Sequence, residues 1–362
     1  MTQSTNTYTR FALLLLTLLL VACDHADSPI TTRFLAFGTL VDLTVSGVSQ
    51  EEADRATAAI EQDFAEMNHA WHAWNPGPLG RVNQELTTGE TFTAPPSVLE
   101  LIKIGKRLSS ASDGLFNPAI GHLIDTWGFM RDDPTGHPPP TPDQIAELLR
   151  QNPRMEDIIV DGIHLRGTNP AVKLDFGAFG KGYGIDLAIA HLRKMGIRNA
   201  ILNAGGDLRA IGERSKGKPW RIAVRSADGK GVLGEIDVSG DESVYTSGNY
   251  ERNFHWQGKT YHHIIDPRTG YPATGSASVT VLHSDGATAD AAATALFIAG
   301  PDRWFEVAQK MGIRYVLLVD TEGTLYMNPA MQQRLRLLEP GHKIRISAPL
   351  AGEAPEGGAS ER

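Results

Sequence analysis

Leu174-Asp175-Phe176-Gly177-Ala178-Phe179-Gly180-Lys181-Gly182 is the stretch on which a reading of this chain turns. Its apolar start reads as the end of a strand, and Lys181 to Met195 as a helix. The glycines between them let backbone groups approach a ligand closely. A helix N-terminus offers unpaired N–H groups to an anion, and Lys181 adds positive charge. The spacing matches neither a phosphate loop nor a dinucleotide fingerprint. Taken alone, the segment also reads as a plain strand-to-helix turn.

Outward from this turn, helical and strand signals alternate without a fixed repeat. Glu51 to Trp71 carries Ala56, Ile60, Phe64 and Met67 at three- or four-residue steps, which predicts a helix. Ser97 to Ser110 is another, with Ser97 and Glu100 at capping-box spacing behind Pro95-Pro96. Thr141-Pro142-Asp143-Gln144 repeats that logic. Ile158 to Leu165 reads as a hairpin turning at Asp161-Gly162. Further strands are expected at Asn199–Asn203, Trp220–Arg225, Gly234–Val238, Ser276–Leu282 and Arg314–Val319. Helices are expected at Ala287–Ala299 and Asp302–Met311. Hairpins mixed with helices indicate an α+β fold, or an intertwined α/β one, over a regular doubly wound sheet.

The ends carry different information. Arg10 precedes an apolar run from Phe11 to Ala22 that stops at Leu20-Val21-Ala22-Cys23, the pattern of a secretory signal. The run is shorter than the ~20 residues a membrane-spanning helix needs. Leu-Val-Ala-Cys resembles the lipobox of bacterial lipoproteins, which makes Cys23 the lipidated first residue; Asp24 resembles an inner-membrane retention signal. The expected division is a signal peptide over 1–22, a lipidated cysteine and tether over 23–32, one domain over 33–345 and a flexible tail over 346–362. Cys23 is the only cysteine, which excludes an internal disulfide and a catalytic cysteine in the mature chain. A net charge of −8 speaks against nucleic acid as a partner.

Several pairings could carry chemistry. Asp290 and Thr294 are four apart on one helix face, where two oxygens suit a hard cation such as Mg²⁺; a threonine bonding back to its own helix is the plainer reading. His262-His263-Ile264-Ile265-Asp266-Pro267-Arg268-Thr269-Gly270 leaves a strand for a turn, and a histidine there is a candidate general base. Asn203-Ala204-Gly205-Gly206-Asp207 reads as a glycine bend between strands. Thr246-Ser247-Gly248 offers hydroxyls at what reads as another turn.

In order along the chain, these segments resemble the FAD:protein FMN transferases, the ApbE-type lipoproteins. Asp113-Gly114-Leu115-Phe116-Asn117-Pro118, Trp127-Gly128-Phe129, the Leu174 turn, Gly205-Gly206-Asp207, Thr246-Ser247-Gly248, His263 to Gly270 and Ala289-Asp290-Ala291 carry the resemblance. It implies a two-lobed, intertwined, T-fold-like arrangement of mixed and antiparallel sheets with helices. By position, Phe37, Trp74, Leu115, Phe116, Asn117, Asp175, Lys181 and Ile265 fall where the family contacts FAD. The Ala178 carbonyl and the side chains of Asp290 and Thr294 fall on its Mg²⁺ ligands, and His263 on its catalytic base. The chain departs from the family with His72-Ala73-Trp74 for the usual Ser-Thr-Tyr, and with Asn117 for an aspartate.

The resemblance implies Mg²⁺-dependent transfer of the FMN half of FAD to a threonine hydroxyl of an acceptor protein, with AMP released. Acceptors would be subunits of membrane redox complexes, met at the periplasmic side of the inner membrane through the lipid anchor. Two alternatives use the same residues: an FAD pyrophosphatase releasing free FMN, and a non-catalytic flavin-binding lipoprotein. Direct thiamine synthesis finds no support in them.

Overall fold

The computed structural model describes residues 28–131 and 136–350. The expected signal peptide and Cys23 lie outside those residues. The described chain opens with a hairpin, β1 (Ile30–Ala36) and β2 (Thr39–Val45), closed by Phe37-Gly38. Ile30 already pairs with Val45, so residues 30–32 of the expected tether belong to this strand. Its outward face holds Thr31 and Arg33 while Phe34 points inward, so a polar-looking stretch is half of an alternating strand.

Helix α1 (Gln50–Trp71) follows, with the Ser49–Glu52 capping box formed and Ala53, Ala56, Ile60 and Phe64 buried along one stripe. Next come α2 (Pro78–Leu86), β3 (Phe92–Thr93) and α3 (Pro96–Ala111). The capping box expected at Ser97 is absent. Pro95 occupies the cap position and Pro96 the first turn, where a missing N–H costs nothing. After α4 (Gly121–Thr126), α5 (Pro142–Gln151) does carry the Thr141–Gln144 box. β4 (Ile158–Asp161) and β5 (His164–Gly167) form the expected hairpin. Its turn lies one residue later, at Gly162-Ile163, because Asp161 pairs with His164.

The Leu174 segment enters α6 (Gly180–Lys194), but no strand precedes it; Lys173 makes only a single bridge to Ile120. β6 (Ala200–Ala204) and β7 (Asp207–Gly212) bend at Gly205-Gly206 as expected. β8 (Trp220–Arg225), β9 (Val232–Val238) and β10 (Gly240–Gly248) come next. Thr246-Ser247-Gly248 is therefore strand, paired to the strand after β11 (Asn253–Trp256) and β12 (Lys259–His262), namely β13 (Ser276–His283). A threonine-serine-glycine run looks like a turn, yet Tyr245 and Val244 before it are buried on both faces. α7 (Gly286–Met311) bends at Gly300, whose φ of 69° and ψ of −178° interrupt the helix before Pro301. The two helices expected there are its two halves. β14 (Tyr315–Asp320), β15 (Leu325–Met327), α8 (Pro329–Arg334), β16 (Leu335–Leu337) and β17 (Ile344–Ile346) complete the chain.

Among the described residues, nine strands form one sheet in the order β1-β2-β6-β7-β10-β13-β14-β15-β17. Every neighbour is antiparallel except β15 and β17. One face packs the larger core beneath α1, α3, α6 and α7. Against the other face lies a three-stranded sheet, β16-β9-β8, over Leu208, Val244, Leu317 and Met327. A third, smaller core joins α4 and α5 to the β11–β12 arm. The fold is α+β. Past residue 346 the chain remains attached: the Ser347 N–H donates to the Met327 carbonyl at 3.0 Å, and Leu350 is 2% exposed. Residues 347–350 of the expected tail are thus held down, with Leu350 buried; the rest of that tail lies outside the described residues. No helix among the described residues is long and apolar enough to cross a membrane.

Candidate active site

Helices α6 and α7 cross at Gly182 and Gly286. A Cβ on Gly182 would lie 2.3 Å from the Gly286 carbonyl oxygen, so only glycine admits the approach. The crossing brings the first turn of α6 against Asp290, whose Oδ2 accepts from the Gly182 N–H at 3.0 Å. One turn on, the Thr294 hydroxyl is 3.3 Å from that of Ser247 on β10. Ala178 lies just before α6 and lines the same cavity as Asp290 and Thr294.

Lys181 is ion-paired with Asp207, which opens β7 after the glycine bend. The second Asp207 oxygen accepts from the Thr246 N–H at 3.3 Å. Burial works against the Lys181 charge, but Asp207 and Asp290 outweigh it and hold the ammonium firmly charged. Burial, then the neighbouring Asp207, push the Asp290 carboxyl well above its usual range, against the opposing pull of Lys181 and the Gly182 N–H. Burial likewise raises Asp175, although its Oδ1 accepts from the Gly177 N–H at 2.7 Å.

His263 follows β12. Its ring Nδ1 is 3.1 Å from the Arg252 carbonyl, which also accepts from the His263 N–H at 3.0 Å. A carbonyl can only accept, so Nδ1 carries the proton and Nε2 keeps its lone pair. Burial, helped by the adjacent His262, pushes the imidazole down to about 4. The motif residues around it act as scaffold: the Trp127 indole donates to the Gly270 carbonyl at 2.8 Å, and Phe129 meets His263 edge to face at 6.4 Å.

These groups surround one cavity of about 990 Å³, at the upper end of the ~300–1,000 Å³ usual for ligand sites. Phe37, Trp74, Leu115, Phe116, Asn117, Asp175, Ala178, Lys181, His263, Ile265, Asp290 and Thr294 all line it. Phe37 lies parallel to Trp71 at 6.2 Å, while Trp74 stands at the mouth, 39% exposed, against His72 and under the Arg252 guanidinium. Phe116 has no exposed surface, and its ring packs edge-on to Phe179 in the core. Asn117 spends its amide on the backbone, donating to the Pro153 carbonyl and accepting from Ala119 N–H, each at 3.0 Å. The sequence reading gave no individual role to Asp207, Ser247, Trp71, Glu251 or Arg252, all in the lining. The first two lie in segments quoted above; Arg252 had no signal of its own.

The model of the ApbE family matches residues 37–317, a span that takes in every wall of this cavity. The chain belongs to the ApbE family. It is 41% identical to the FAD:protein FMN transferase of Rhodobacter capsulatus over 88% of its own length, and spans 60% of that relative. With the FAD:protein FMN transferase of Vibrio cholerae it shares 31% identity over 84% of this chain and 92% of the relative. The crystal structure of the ApbE protein of Thermotoga maritima superposes with a TM-score of 0.77 at 32% identity, covering 85% of this chain and all (100%) of that one. The flavin transferase ApbE of Vibrio cholerae gives 0.73 at 27% identity, covering 85% and 99%.

Proposed function

We propose that this ApbE-family chain is an FAD:protein FMN transferase, moving the FMN half of FAD onto a threonine hydroxyl of an acceptor protein. The observation that carries the proposal is the convergence of an anion-binding helix start, a hard-oxygen donor set and a neutral histidine on one dinucleotide-sized cavity. FAD binds with its diphosphate toward Lys181 and the start of α6, where charge and unpaired N–H groups favour an anion. Phe37 and Trp74 offer ring faces to the flavin or adenine.

The threonine oxygen forms a bond to the FMN phosphorus, and the bond from that phosphorus to the bridging oxygen breaks. AMP leaves with the bonding electrons. The hydroxyl proton passes to Nε2 of His263, which the Arg252 carbonyl keeps available as an acceptor. Lys181 stabilises the charge gathering on the phosphates.

The residues fit Mg²⁺. Ala178 offers a carbonyl, Asp290 a carboxylate and Thr294 a hydroxyl, all hard oxygens. Asp290 is buried with only one backbone N–H on it, a charge that needs a cation to be comfortable there. Asp175, Asp207, Glu251 and Asp290 line the cavity against Lys181 and Arg252, so the lining alone does not neutralise a diphosphate. When bound, the cation supplies charge neutralisation on the phosphates of FAD.

We further propose that Cys23 carries a lipid that keeps the enzyme on the periplasmic face of the inner membrane. Cys23→Ser should then leave the membrane fraction; retention there would refute the anchor.

The deciding experiment incubates the chain lacking residues 1–23 with FAD, MgCl₂ and a threonine-bearing acceptor peptide, then weighs the peptide. A gain of one FMN moiety that EDTA abolishes supports the transferase. Free FMN and AMP beside an unmodified acceptor would replace it with a hydrolase.

A further inference from the structure

Alternation along β10 decides where Ser247 points. Tyr245 packs into the core beneath the helices and Val244 into the opposite one, so Ser247, two residues past Tyr245, faces the helices as well. α7 packs across this strand, and the Ser247 hydroxyl meets that of Thr294 at 3.3 Å. Both residues line the cavity.

Thr294 thus reaches across to the sheet. A threonine inside a helix often bonds back to the carbonyl four residues earlier, as Thr57 on α1 does to Ala53 at 2.8 Å. Among the described residues, the hydrogen bond of the Thr294 side chain is the one to Ser247. The plainer reading of the Asp290–Thr294 spacing, a threonine spent on its own turn, is therefore not what the structure adopts.

Either hydroxyl can donate in this pair, and a cation would remove the choice. A hydroxyl that gives a lone pair to a cation keeps its proton and needs an acceptor for it. Ser247 Oγ is that acceptor, held on a paired strand of the large sheet.

We propose that Ser247 is a positioning residue for the cation site: it accepts a hydrogen bond from the Thr294 hydroxyl and so leaves the lone pairs of that oxygen for Mg²⁺. The inference rests on the assignment of Thr294 to the cation. A partner hydrogen-bonded to a metal ligand changes affinity by about 10- to 100-fold. A neutral hydroxyl pair belongs at the lower end of that range.

The test follows thermal unfolding of the full chain at fixed FAD across a MgCl₂ titration after EDTA treatment. It reads the Mg²⁺ concentration that gives half the rise in Tm. Ser247→Ala should raise that concentration about tenfold. In a Thr294→Val background, Ser247→Ala should change it no further, because a residue acting through Thr294 has nothing left to position. An unchanged midpoint in Ser247→Ala, whatever its Tm, would overturn the inference beside a wild type that Mg²⁺ stabilises. A further loss in the Thr294→Val background would also overturn it, by showing that Ser247 acts without Thr294. A wild type that Mg²⁺ does not shift removes the cation site itself, and this inference with it.

Discussion

The proposed role of His263 depends on what the Arg252 backbone does to its ring. The Arg252 carbonyl fixes the tautomer, and burial holds the ring neutral down to about 4. His263→Ala should lower transfer by about 10²–10⁴-fold, with FAD binding retained, as read by initial rates beside a flavin fluorescence titration. The acid limb of transfer due to this residue should fall at about 4, below the ~6.5 of a free imidazole. The sign for stability follows from the same depression. Below ~6.5 the unfolded chain takes up a proton the folded ring refuses, so this histidine costs stability as pH falls toward about 4. Denaturant midpoints measured against pH should therefore rise from acid to neutral less steeply in His263→Ala. Asp290→Ala should abolish the Mg²⁺ dependence of transfer in a protein that still folds; Mg²⁺-dependent turnover in that variant would remove Asp290 from the site. At this scale the sequence was legible where a side chain sits in a recognisable run, as His263, Lys181 and Asp290 do. It was silent on Arg252, whose contribution is a carbonyl that any residue possesses, and on the Lys181–Asp207 pair, which joins residues 26 apart.

At the scale of elements, the crossing of α6 and α7 sets the register between the Gly182 N–H on one helix and Asp290, with Thr294 one turn on, the proposed ligands, on the other. Gly182→Ala would force a methyl to within 2.3 Å of the Gly286 carbonyl. Overpacking of this kind costs about 1–3 kcal/mol, and urea denaturation should show it, together with weaker Mg²⁺ stabilisation as the helices part. Periodicity found α1, α6 and the second half of α7, which each have a buried stripe beside an exposed face. The first half of α7 has no exposed residue, so its helix was legible from its alanine-rich composition and not from an exposed face. Neither signal found the strand character of Thr246-Ser247-Gly248 or the pairing of Ile30 to Thr32. There the hydrogen bonds of distant strands decide, and no local pattern encodes a distant partner. The Leu174 run erred in the opposite way: its apolar residues serve the core through irregular backbone, with one bridge at Lys173 in place of a ladder.

For the whole molecule, the fold class followed from the mixture of hairpins and helices, and the motif order carried the family. What the sequence withheld was the sheet order, in which β2 sits beside β6 and β15 beside β17. That last pairing anchors the C-terminal segment, and removing residues 347–362 should expose the pocket of Leu350. The loss of one fully buried leucine is worth about 1.5–3 kcal/mol, read as a lower denaturant midpoint; an unchanged midpoint would show that Leu350 contributes nothing to stability.

The cavity wall draws on residues from Phe37 to Ile298, spread over most of the chain. A ribosome releases those residues in order, so a growing chain has no complete cavity until Ile298 has emerged. FAD is therefore encountered only by the finished fold, in whichever compartment that fold is completed. Supply of the dinucleotide to that compartment, and not its availability during synthesis, sets when the protein first binds it.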